Sequence, residues 1–109
     1  MAQGIRVLLV EDNLNLATLQ AQMLKLQPEN YQVQIAYTGQ QAKAALQDSL
    51  PDIILLDLTL PAPDGLSILR WMQTQKKPMP PVIVTTSCTE ESVQWEALRL
   101  GAKYFMIKP

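Results

Sequence analysis

Histidine is absent from the 109 residues, and its absence removes whole classes of chemistry. Without imidazole the chain cannot host a Ser-His-Asp or Cys-His catalytic arrangement, a histidine-rich zinc site or a phosphohistidine of its own. Cysteine occurs once, as Cys88, so no internal disulfide can form, which fits a reducing cytoplasm. Clustered positive charge is lacking as well. Beyond Lys76-Lys77 there is no basic block, and the formal net charge is -1, whereas a nucleic-acid face needs grouped cations to meet phosphates. No apolar run approaches the roughly 20 residues of a membrane-spanning helix. Neither direct nucleic-acid binding nor membrane anchoring is expected, and chemistry is left to carboxylates, hydroxyls and lysine.

With 48% hydrophobic and 17% charged residues, the chain suffices for one globular domain over residues 1–109 and is too short for two. Strand-like and helix-like segments alternate along it. Ile5 to Val10 reads as a buried strand, and Leu14 to Leu26 as a helix with apolar Leu16, Leu19, Met23 and Leu26 at helical spacing. Tyr31 to Tyr37 alternates apolar and polar residues, the period of a half-exposed edge strand. Thr38 and Gln41 match a capping box before a helix whose narrow apolar face is Ala42, Ala45 and Leu46. Ile53 to Leu58 is apolar apart from Asp57, so it predicts a central strand covered on both faces. Pro61 and Pro63 stiffen a loop that Gly65 relieves before a helix from about Leu66 to Gln75. Val82 to Thr86 gives a fourth strand, Thr89 to about Leu100 a fourth helix with Gly101 as its cap, and Lys103 to Ile107 a fifth strand. Such alternation predicts a parallel sheet with helices on both sides.

Four short polar signals fall at the ends of four apolar runs: Glu11-Asp12, Asp57, Thr85-Thr86-Ser87 and Lys108-Pro109. If those runs are parallel strands, one sheet edge gathers three carboxylates, a hydroxyl and an ammonium. That set suits a divalent metal and a transferable phosphoryl group. Plainer readings exist for each residue. Glu11-Asp12 alone suits a helix N-terminus, a lysine before proline suits the surface, and Phe105 suits packing. Asp57 resists such a reading, because a charge ending an apolar strand is costly unless compensated. Trp71 and Trp95 are expected as semi-buried helix flanks, and Cys88 as a small loop residue.

The segments VLLVEDN, LLDLTLPAPDG, PPVIVTTS and GAKYFMIKP, in this order and at these separations, resemble the receiver domain of two-component response regulators, and the resemblance runs from Ile5 to Pro109. It implies an α/β, flavodoxin-like (CheY-like) three-layer, doubly wound parallel sheet with strand order 2-1-3-4-5. It also implies a cytoplasmic signalling switch rather than an enzyme, whose Asp57 accepts a phosphoryl group from a sensor histidine kinase or phosphotransfer protein. By the same resemblance Glu11, Asp12, Asp57 and the backbone carbonyl of Thr59 hold Mg2+, Thr86 reads the phosphate, Lys108 pairs with Asp57, and Phe105 is the switch aromatic. Glu90, Glu91, Trp95 and Arg99 fall on the implied output face. Thr59 and Cys88 depart from the family's pattern at the positions that orient water, so slow self-dephosphorylation is expected. Family members continue into a fifth helix, so the chain is expected to stop short of it and to leave Tyr104 and Met106 without cover. Two other readings remain: a small Mg2+-dependent phosphatase or hydrolase using Asp57 as nucleophile, and a non-phosphorylated interaction domain.

Overall fold

Runs rich in valine, isoleucine and leucine alternate with amphipathic stretches, and each folds according to its period. A computed structural model describes residues 4–87 and 90–108. Cys88, Thr89 and Pro109, assigned above to a loop, a helix start and the last motif, lie outside the described residues. The elements are β1 (Ile5–Val10), α1 (Leu14–Lys25), β2 (Tyr31–Ala36), α2 (Gly39–Asp48), β3 (Ile53–Asp57), α3 (Gly65–Gln73), β4 (Val82–Thr86), α4 (Glu91–Arg99) and β5 (Tyr104–Ile107). Every strand pair is parallel, and the order is β2-β1-β3-β4-β5. This is the expected doubly wound, flavodoxin-like sheet. No helix of the described residues is long and apolar enough to cross a membrane.

The two sheet faces differ. Leu8, Val10, Ile54, Leu56, Val82 and Val84 pack with Ala42, Leu46, Ile68, Leu69, Met72 and Ala97, so α2, α3 and α4 cover one face and form the main core. Leu9 packs with Ala17 and Ala21 on the other face, with Val33, Ile35, Tyr37 and Leu55 around them. Among the described residues α1 is the one helix there. Leu55, Ile83 and Tyr104 stand in register across that face. Leu55 and Ile83 are half-buried, whereas Tyr104 and Met106 are 68% and 58% exposed, the uncovered positions the sequence predicted.

One helix corrects its sequence reading. Leu19, Met23 and Leu26 were expected inside, but they are exposed and Leu16 is only half-buried. The face of α1 that meets the sheet is Ala17 and Ala21, whose small side chains let the helix sit close to β1 and β2. Trp95 likewise proves largely exposed, while Trp71 is half-buried with Lys43 5.8 Å from its ring centre. Local signals elsewhere hold. Thr38 Oγ1 accepts from the Gln41 amide, and Gln41 Oε1 accepts in return from the amide of Tyr37, one residue before the cap. Asp64 caps α3, which starts one residue early at Gly65. Gly101 ends α4 with φ +105°, a conformation that side chains resist.

Candidate functional site

In this strand order β1 and β3 are neighbours, and the chain leaves β1 toward α1 on one face and β3 toward α3 on the other. A crevice opens at such a reversal, beyond the carboxyl ends of the strands. Glu11 follows β1 directly, Asp57 is the last residue of β3, Thr86 ends β4, and Lys108 follows β5. Backbone bonds hold these ends level. The Glu11 amide donates to Ala36 O, the Leu58 amide to Thr85 O, and the Lys108 amide to Thr86 O at 2.7 Å. The turn after Asp57 has no room for a side chain at residue 65. A Cβ on Gly65 would lie 2.6 Å from Leu58 Cα and 2.8 Å from Asp57 O.

Lys108 joins two buried acids. Its Nζ donates to Glu11 Oε1 at 2.7 Å and to Asp57 Oδ2 at 2.8 Å. Both carboxylates are 1% exposed, and an unpaired charge so deep is strongly unfavourable. The second oxygen of each is also engaged. Glu11 Oε2 accepts from the Asn13 amide at 3.2 Å, and Asp57 Oδ1 accepts from both the amide and the hydroxyl of Thr59, at 2.9 and 2.8 Å. Asn13 meanwhile caps α1 through its side chain, which accepts from the Leu16 amide.

Burial raises the pKa of both acids, with different outcomes. At Asp57 the Lys108 ammonium and the two Thr59 donors outweigh burial and hold the carboxyl below its usual range. At Glu11 burial wins over Lys108 and the Asn13 amide, and the nearby Asp57 charge adds to it, so its pKa is raised. Burial would lower the Lys108 pKa, but Asp57 and Glu11 together push it above the ordinary value. The pocket therefore favours an ionised Asp57 beside a charged lysine.

Asp12 is exposed, yet it offers a carboxylate oxygen within 4.8 Å of oxygens from Glu11 and Asp57. Three converging carboxylates form an all-oxygen donor set, which fits Mg2+ or Mn2+ and not a thiolate-preferring metal. Thr86 is fully buried. Phe105 stands beside Val84 and is half-buried against the main core. The structure thus brings Glu11, Asp12, Asp57 and Lys108 together, with Thr86 joined to Lys108 through the backbone. It adds two contacts that were not foreseen: Glu11 with Lys108, and the Thr59 hydroxyl with Asp57. A threonine two residues after an aspartate is a turn signal that could have revealed the second.

The model of the response regulator receiver domain matches residues 7–109. Among curated proteins, the chain is 36% identical over 107 residues to protein-glutamate methylesterase/protein-glutamine glutaminase 1 of Methanospirillum hungatei, covering 96% of this chain and 31% of that one. The chain thus spans about a third of that relative's length. Among solved structures, the signal receiver domain of a putative Luxo repressor protein from Vibrio parahaemolyticus is 34% identical, with TM-score 0.88, over 98% of this chain and 80% of that one. The Mn2+-bound form of response regulator Rcp1 is 28% identical, with TM-score 0.88, over 95% of this chain and 81% of that one. With its sheet order, its acid-lysine pocket and a family match over nearly its whole length, the chain belongs to the response regulator receiver domains.

Proposed function

We propose that this domain is a phosphorylation-controlled switch of a cytoplasmic two-component system. Asp57 accepts the phosphoryl group from the phosphohistidine of a sensor kinase or phosphotransfer protein. An Asp57 oxygen forms a bond to phosphorus while the P–N bond of the donor breaks. The electron pair stays on the donor's imidazole, and the product on this chain is an acyl phosphate. Glu11, Asp12, Asp57 and the Thr59 carbonyl are the groups that hold Mg2+, which when bound offsets charge growing on the phosphoryl oxygens. Lys108 supplies a second positive charge from its place against Asp57. The observation that carries this reading is the buried Asp57 at the switch point, held between Lys108 and Thr59.

The response is assigned to Thr86 and Phe105. The buried Thr86 hydroxyl takes a phosphoryl oxygen, β4 shifts, and Phe105 repacks beside the surface that presents Glu90, Glu91, Trp95 and Arg99. The test is incubation with Mg2+ and acetyl phosphate, read by intact mass, together with amide shifts of α4 under beryllofluoride. One phosphoryl group per chain is expected, none in Asp57→Asn, and labelling without the α4 shifts in Thr86→Ala. Labelling of Asp57→Asn at the wild-type rate excludes the phosphoacceptor assignment, and a full α4 response in Thr86→Ala excludes the transmitter.

A further inference from the structure

The loop that leaves β3 is held at both ends and at its tip. Its ends meet where the Gly65 amide donates to Leu58 O at 3.3 Å, and the Leu58 amide in turn donates to Thr85 O at 3.0 Å. Between them Leu60 is buried in the main core. At the tip, Pro63 lies on Gly39, the buried first residue of α2. A Cβ on Gly39 would run into Pro63 O and would lie 2.6 Å from Pro63 Cγ and 3.2 Å from Ile68 Cδ1. The start of α2 is thus a seat for the loop, with no room for one more carbon.

Of the two sides of this contact, α2 is the fixed one. Ala36, three residues earlier, pairs with Val10, and its carbonyl accepts from the Glu11 amide. Thr38 and Gln41 then close the cap, and Ala42 and Leu46 root the helix in the main core. Slack lies on the loop side, where Thr59, Pro61 and Ala62 are exposed. Little of it is local to the tip, because rings fix φ at both Pro61 and Pro63. A push on Pro63 is therefore shared along the loop as far as the Thr59 peptide.

Resting on the metal-holding role given to the Thr59 carbonyl above, we propose that Gly39 is a positioning residue for Mg2+. The start of α2 is the stop against which the loop after β3 sets that carbonyl. The metal site then depends on a residue that is not itself a ligand, on a helix that supplies none.

The experiment measures Mg2+ affinity by calorimetry, without a phosphodonor, on wild type, Gly39→Ala, Pro63→Gly, the double variant and Gly4→Ala, each with its urea midpoint. Gly4→Ala is the control, since a Cβ there would run into Asn30 O just before β1, at the end of the sheet away from the pocket. Gly39→Ala is expected to weaken Mg2+ binding by roughly 10- to 100-fold, the range for groups that orient a metal's ligands. Gly4→Ala is expected to lower the midpoint and leave the affinity unchanged. Pro63→Gly loosens the loop without adding an atom and is expected to weaken binding too. In its background Gly39→Ala is expected to add little, because the two act on one contact. A Gly39→Ala variant that binds Mg2+ like wild type, or a Gly4→Ala variant weakened as much, overturns the positioning role while the phosphoacceptor reading stands. So does a full Gly39→Ala loss in the Pro63→Gly background, and so does wild-type affinity in Pro63→Gly alone, which needs no folded alanine variant. A wild-type chain that binds no Mg2+ overturns the metal reading and this one together.

Discussion

Lys108 shares one ammonium between two buried carboxylates, so the pocket's contribution to stability depends on its charge. Its folded pKa is raised above 10.5. The stabilisation is therefore fully present below pH 10.5 and is lost as pH rises through the folded value. The acids carry opposite signs. Asp57 is depressed below 3.8, so its contribution survives until pH falls below that figure. Glu11 is raised above 4.5, so its burial penalty is relieved as it takes a proton on acidification toward 4.5. Lys108→Met is expected to cost roughly 3 kcal/mol at neutral pH by leaving buried charge unpaired, and to abolish the alkaline loss expected of wild type. Melting temperature against pH for both proteins checks this, and a similar alkaline step in the variant contradicts it. Asp57 was legible in the sequence because a charge closing an apolar strand needs a reason. The Glu11–Lys108 contact was not, since 97 residues separate its partners and only the strand order makes them neighbours.

Among the elements, the strands were the most legible and α1 the least. β2 alternates as an edge strand should, and β3 is apolar because helices cover it. The Thr38 capping box placed the start of α2, and the proline loop with Gly65 placed the start of α3 to within a residue, although α3 ends two residues sooner than expected, at Gln73. In α1 the largest apolar side chains repeat at helical spacing, yet the helix docks through Ala17 and Ala21. Periodicity identifies a helix and ranks its faces by hydrophobicity, whereas close approach to a sheet selects for small size. Ala17→Leu is expected to destabilise by about 1 to 3 kcal/mol through overpacking, and Leu19→Ala to stay within about 0.5 kcal/mol. Urea denaturation of the two variants separates the faces, and a reversed order of effects restores the leucine stripe as the buried one.

The whole molecule is packed asymmetrically about its sheet. Leu56, on the face under α2 to α4, is fully buried, while Met106 on the opposite face is more than half exposed. Leu56→Ala is therefore expected to cost about 2 to 5 kcal/mol, and Met106→Gln less than about 0.5 kcal/mol. Denaturant midpoints test the pair, and a costly Met106→Gln means that face is covered in solution. The pocket draws on the same global assembly. Glu11 and Lys108 close it from just past β1 and β5, the first and last described strands in chain order. A ribosome delivers all three acids long before Lys108 emerges, so a nascent copy carries Asp57 with no cation to meet it. Only when β5 has zipped onto β4 does the aspartate gain its ammonium partner. On the reading proposed above, competence to take a message thus doubles as a receipt for translation through residue 108, whatever chain follows it.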